Sequence, residues 1–110
     1  MSSPVYIAGA GVISAIGNNV AENLASFERE EAGMAEITLI STKLHGNVPV
    51  AEVKLNNAEL AAMAGFTSQQ SRTTLLSLIA AGEALNDAEI DNLSSLRTGF
   101  VSANTVGGHG

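Results

Sequence analysis

Candidate bases and nucleophiles in this chain are His45, His109 and the serines Ser14, Ser71, Ser77 and Ser102. Acyl transfer or hydrolysis by a serine needs a neighbouring base, most often an imidazole. None of the four serines lies in a G-x-S-x-G elbow, and none has an evident histidine partner. The two histidines are far apart in sequence, with no cysteine or second histidine at ligand spacing, so they read as surface or turn residues. Glu28, Arg29, Glu30 and Glu31 form a charge run. Paired carboxylates can do acid–base work, but nothing apolar surrounds these to shift a pKa, and they read as a solvated helix end. Asp87, Glu89 and Asp91 read as loop and cap residues. Asn92-Leu93-Ser94 matches a glycosylation sequon that a cytoplasmic chain does not use. No catalytic, cofactor-binding or metal-binding residue is assigned.

Gly9-Ala10-Gly11 raises phosphate chemistry, because a glycine-rich turn after a strand can cradle a dinucleotide. That fingerprint needs a third glycine three residues after the second. Position 14 is Ser14, Gly17 comes too late, and no acidic residue closes a second strand at the expected place. The glycines read as places where the chain turns sharply between packed layers.

The elements that would position any site come from a chain of 110 residues with formal net charge −6 and 45% hydrophobic residues. That is too apolar for disorder and long enough for one small domain. No cysteine is present, which excludes disulfides, thiolate zinc sites and cysteine nucleophiles within these residues. Acidity, with a pI near 4.6, argues against nucleic acid and anionic membranes as partners. Val5 to Ile16 looks like the core of a secretion signal, but no Lys or Arg precedes it and Gly9 and Gly11 interrupt it. No apolar stretch approaches the roughly 20 residues that span a bilayer. A cytoplasmic protein is expected.

Val5-Tyr6-Ile7-Ala8 predicts a strand buried on both faces, as in a parallel sheet. Asn18 or Asn19 then caps a helix to about Arg29, with Val20, Leu24 and Phe27 on its inward face. Ile37 to Ile40 fits a strand or a packed loop, His45-Gly46-Asn47 a turn, and Val48, Val50 and Val53 around Pro49 an edge strand. Asn56 or Asn57 caps a short helix over Ala58 to Ala64, stopped at Gly65. The longest helix starts after Thr67 or Ser68 and runs to about Asp87. It is apolar nearly all round, which predicts burial on most sides, more than a small domain provides. Thr98 to Ala103 predicts a second strand, and two strands joined through helices favour a parallel pair.

Three segments, in order, resemble the elongating β-ketoacyl synthases that work on acyl carrier protein. Val5 through Asn18 is similar to their opening strand, Gly-x-Gly, Val-Val-Ser-Pro and Gly. Arg72, with Leu75 to Ala88, resembles their Ala-rich helix. Thr98 through Gly108 resembles the strand that leads into their Gly-Thr-Gly-x-Gly-Gly loop. Ala15 stands where the family has Pro, Gly82 where it has a basic residue, and Asn104 where it has Gly. A glycine inside a helix costs roughly 1 kcal/mol against Ala, so Gly82 is expected at a close helix contact.

The resemblance implies a thiolase-like α/β/α/β/α fold, with a mixed, mostly parallel sheet and a buried helix. Residues 1–110 would be an incomplete N-terminal portion of its first half. The implied reaction is decarboxylative condensation of an acyl thioester with a malonyl carrier, in fatty acid or polyketide synthesis. The family's nucleophilic cysteine and two histidines would lie beyond Gly110, so these residues alone are expected to be inactive and to need no cofactor. Gly107 and Gly108 match a loop near the acyl pocket and dimer interface and carry no chemistry of their own. Expected partners are acyl carrier protein and a second subunit for the parent, and self-association for this chain. Carrier proteins are acidic and prefer basic patches, yet Arg29, Lys43, Lys54, Arg72 and Arg97 do not cluster in sequence. Other readings remain open: a self-contained binding or scaffold domain, a small nucleotide-binding domain, or a pseudo-enzyme that sets chain length.

Overall fold

The computed structural model describes residues 3–36, 38–39, 43, 46–66 and 70–105. The expectations for His45, His109, Gly107 and Gly108 fall outside them, as do Ile37, Ile40, Thr67 and Ser68. Five elements follow in order: α1 (Val20–Glu28), β1 (Met34–Ala35), β2 (Val50–Ala51), α2 (Asn57–Ala64) and α3 (Arg72–Asp87), then a 3-10 turn at Leu93–Ser95. The chain is therefore mixed α/β at a coarse level. Its sheet is two-stranded and antiparallel, with Met34 opposite Ala51 and Ala35 opposite Val50.

The predicted strands over 5–8 and 98–103 are not formed, and no parallel pair joins them. A β-rich run becomes a strand only when a neighbour takes its N–H and C=O groups. Here the side chains stay in solvent as well: Val5 is 96% exposed, Ile7 92% and Val101 95%.

The helix limits follow local chemistry closely. Asn19 Oδ1 accepts from the Glu22 N–H and opens α1. Asn56 and Glu59 form a reciprocal capping box that opens α2. Ser71 opens α3, later than Thr67 or Ser68. All three helices close alike: the residue in the left-handed region donates back to a carbonyl three residues earlier, and the next residue to one five earlier. Gly65 fills that position after α2 at φ 79°, as its lack of a Cβ allows. Glu30 and Glu89 fill it after α1 and α3, at φ 55° and 57°.

Helices α2 and α3 pack together. Leu60 and Leu75 are the fully buried apolar side chains among the described residues. Leu75 lies in the first turn and a half of α3. Farther along, Leu78 is 40% exposed. The predicted burial of α3 on most sides is thus not reached with the contacts present in this chain. Gly82 is also not at a close contact, since a Cβ there would meet nothing within 4 Å.

Helix α1 is turned differently from its expected orientation. Its buried residues are Asn23 and Ser26, while Leu24 and Phe27 are 56% and 68% exposed. The reason is the preceding turn, where Ser14 and Gly17 face each other in a bridge. Asn23 Nδ2 donates to the Gly17 and Asn19 carbonyls at 3.2 and 2.7 Å, and Ser26 Oγ to the Ile16 carbonyl at 2.6 Å. Those carbonyls need partners once covered, and the polar face of α1 supplies them.

The whole chain remains open. Its accessible surface, 8538 Å², is half again the ~5,700 Å² expected of a compact monomer of this mass. Its radius of gyration is 16.5 Å, against ~13 Å for a compact chain of this length.

Candidate functional site

Two of the residues considered above, Ser14 and Asp87, meet Glu83 at one structure, the glycine loop 9–20 lying across α3. Gly9 and Gly11 approach the α3 backbone so closely that a Cβ on Gly9 would overlap the Ala84 carbonyl, and one on Gly11 the Ala80 carbonyl. Two carboxylates of α3, four residues apart and so on one helix face, hold the loop there. Asp87 Oδ2 accepts from the Ala10 N–H at 3.1 Å. Glu83 Oε1 accepts from Val12 N–H and its Oε2 from Val20 N–H, both at 2.9 Å.

Val20 is the first residue of α1, so the Glu83 carboxylate sits at a helix N-terminus, where free N–H groups and the helix dipole attract anions. In a nucleotide-binding loop a phosphate takes that place. Here a side chain of the protein takes it, and the Glu22 side chain accepts from the Asn18 N–H beside it at 2.9 Å. The glycine loop is thus built around an internal anion, in keeping with the reading of its glycines as structural.

The predicted nucleophile candidates are occupied or isolated. Ser14 Oγ donates to Asn23 Oδ1 and accepts from the Ile16 N–H at 3.2 Å. Ser71 Oγ accepts from the Thr74 N–H at 3.2 Å as the α3 cap. Ser77 Oγ donates to the Thr73 carbonyl at 2.9 Å, one turn back. Ser102 is exposed in the segment before Asn104. Asn92, the sequon residue, caps the 3-10 turn by accepting from the Ser94 N–H at 2.9 Å.

In the charge run, Arg29 donates from two nitrogens to both Glu31 oxygens at 3.0 Å. Each raises the charged character of the other: hydrogen bonding to Glu31 and its charge push the Arg29 pKa up, and Arg29 holds the Glu31 carboxyl low. The pair is solvent-exposed, as predicted for a solvated helix end, so it adds little to stability. A second carboxylate, Glu52, accepts from Thr38 N–H and Oγ1 at 2.9 and 3.1 Å and from Leu39 N–H at 3.2 Å. The Thr38 N–H is the main cause that holds its pKa low. The basic residues are dispersed: Lys54 Nζ donates to the Gly33 carbonyl at 2.8 Å, and Arg72 to α2 and the segment before it. No group of three potential metal ligands occurs among the described residues, and no helix among them is long and apolar enough to cross a membrane.

The residues that organise this region, Glu83 and Asn23, were not singled out by the sequence. Glu83 had one visible clue: it is the sole charged residue between Arg72 and Asp87 in a segment otherwise apolar or neutral. Comparison with protein-family models, with curated proteins and with solved structures matches the chain to none of them.

Proposed function

We propose that residues 1–110 form the opening of the first half of an elongating β-ketoacyl synthase, and that they carry no catalytic group themselves. The parent would condense an acyl thioester with a malonyl carrier and release CO2. Its nucleophile and histidines would come from polypeptide outside these residues, and its partners would be acyl carrier protein and a second subunit. Thiolase-like architecture, with the runs 5–8 and 98–103 as members of a larger parallel sheet, belongs to the same proposal, as does a cytoplasmic location.

The observation that carries it is the exposure of those two runs. Val5, Tyr6 and Ile7 are 80% exposed or more, and so are Phe100 and Val101. Apolar β-rich segments left in water disfavour the isolated chain, at about 25 cal/mol per Å² of apolar surface. They make physical sense as strands whose neighbours lie elsewhere. The exposed Leu24 and Phe27 of α1 and the half-covered Leu78 of α3 support the same reading. A self-contained scaffold domain would need a closed core, and among the described residues the fully buried apolar side chains are Leu60 and Leu75.

The experiment is to read the frame that follows Gly110 and to measure the isolated chain. A cysteine at the start of an Ala/Ser-rich helix, followed by two histidine motifs, is expected. The isolated chain should release no CO2 from malonyl carrier and should elute as an oligomer in solution sizing. A stop codon directly after Gly110, with a sharp monomer peak and cooperative unfolding, overturns the proposal.

A further inference from the structure

We propose that residues 9–28, the glycine loop with α1, form one arm that the Glu83 carboxylate latches to α3, and that the arm releases as a unit when the latch is broken. This does not rest on the condensing-enzyme reading, since every contact used lies within the described residues.

Three observations carry it. First, α1 does not pack on α2 or α3 as a helix; the packed helix pair is α2 with α3. The attachment of α1 to α3 therefore runs through its first residue, Val20, and its leading loop. Second, Glu83 binds that loop at two separated points, Val12 and Val20, with one oxygen each. A bidentate grip of this kind fixes both the loop and the first turn of the helix, so the two are coupled. Third, the arm is internally tied without help from α3. Asn23 and Ser26 of α1 bond the Gly17 and Ile16 carbonyls, and Asn23 receives the Ser14 hydroxyl. Outside itself the arm is held by Glu83 and Asp87, by Gly9 and Gly11 seated on α3 and by Ala15 against Gly33. An element tied this firmly within itself opens as a body rather than fraying.

Between arm and helix lies an open groove lined by Ala10, Val20, Leu24, Glu83 and Asp87. Asp87 adds a further bond to the loop at Ala10. Undocking the arm would expose the small-residue strip Ala80, Ala84 and Ala88, which Gly9 and Gly11 now cover.

Amide hydrogen exchange on the chain tests the latch. Glu83→Ala is expected to speed exchange at Val12 and Val20 together by about tenfold or more, since both amides lose a charged acceptor. The amides of Leu60 and Leu75 should keep their rates. Glu83→Gln, which keeps one acceptor oxygen and places an NH2 group at the other site, should give a smaller joint change. Gly11→Ala attacks the docking from the other side, because its Cβ cannot coexist with the Ala80 carbonyl, and should release the same two amides with Glu83 intact. The proposal is overturned if Val12 and Val20 respond independently in Gly11→Ala. It is equally overturned if either amide is unmoved in Glu83→Ala, or if Leu60 and Leu75 accelerate to the same degree, which is global unfolding rather than an arm.

Discussion

The guanidinium of Arg72 donates to Asn57 Oδ1 at 2.9 Å while its second terminal nitrogen donates to the Val53 carbonyl at 2.8 Å. Arg72 is the first residue of α3 and Asn57 the first of α2. One planar side chain thus pins together two helix starts and the chain leaving β2. The fork geometry matters, since a lysine ammonium cannot span both acceptors in this way. Arg72→Lys should cost about 1 kcal/mol and Arg72→Ala about 1–3 kcal/mol in thermal or urea unfolding. Equal stability of wild type and Arg72→Ala would show the fork to be dispensable.

Leu60 of α2 and Leu75 of α3, helices that pack together, are the fully buried apolar side chains among the described residues. Truncating either to Ala should lower stability by about 2–5 kcal/mol, as for other buried leucines. In a chain with so little enclosed core this is expected to abolish the unfolding transition. Leu78→Ala, at a 40% exposed position, should cost much less. Circular dichroism on the three variants ranks them directly.

Glu30 and Glu89 occupy the left-handed position that ends α1 and α3. A side chain there costs roughly 1–2 kcal/mol that glycine avoids. Glu30→Gly and Glu89→Gly should each raise stability, by about 1 kcal/mol after the unfolded-state entropy of glycine is set against the gain. Gly65→Ala is the mirror experiment and should destabilise. A lowered melting temperature in both glutamate variants would contradict the cap assignment.

Glu52 supplies a pH dependence with a definite sign. Its carboxyl is held below the usual carboxylate range, chiefly by the Thr38 N–H. A folded value below the unfolded one means that the stabilisation is fully present above the ordinary glutamate range. It is lost as pH falls through the folded value. The stability gap between wild type and Glu52→Gln should therefore narrow on acidification from neutral pH. Melting curves across that range check it, and a gap that stays constant would remove Glu52 from the account.

Gly82 lies on the open side of α3, where an added methyl meets no neighbour. Gly82→Ala should stabilise the isolated chain by up to about 1 kcal/mol. If polypeptide outside these residues covers that side in the parent protein, the same substitution should be neutral or harmful there.

Most helix ends were legible because they are local, the start of α3 at Ser71 rather than at Thr67 or Ser68 being the exception. Asn19, Asn56 and Gly65 act on backbone groups within four residues, and that chemistry is the same in any fold. The orientation of α1 was not legible. Val20, Leu24 and Phe27 form an apolar stripe whose spacing says that it should be covered, yet carbonyls of the turn before it, at Ile16 and Gly17, draw Asn23 and Ser26 inward instead. Periodicity records what a face prefers, not which competing contact prevails. The run at 34–36 carried no strand pattern, and β1 exists because β2 lies beside it.

By itself, then, the sequence determined that three helices form and, through Asn19, Asn56 and Gly65, where α1 begins and where α2 begins and ends, because caps act on near neighbours. Only the tertiary structure decided that Glu83, 63 residues from Val20, would place its carboxylate at the start of α1. It also decided that the β-rich runs 5–8 and 98–103 would stay unpaired in this chain. Long-range hydrogen bonds and strand pairing require two distant segments to meet, and no local pattern specifies which segments those are.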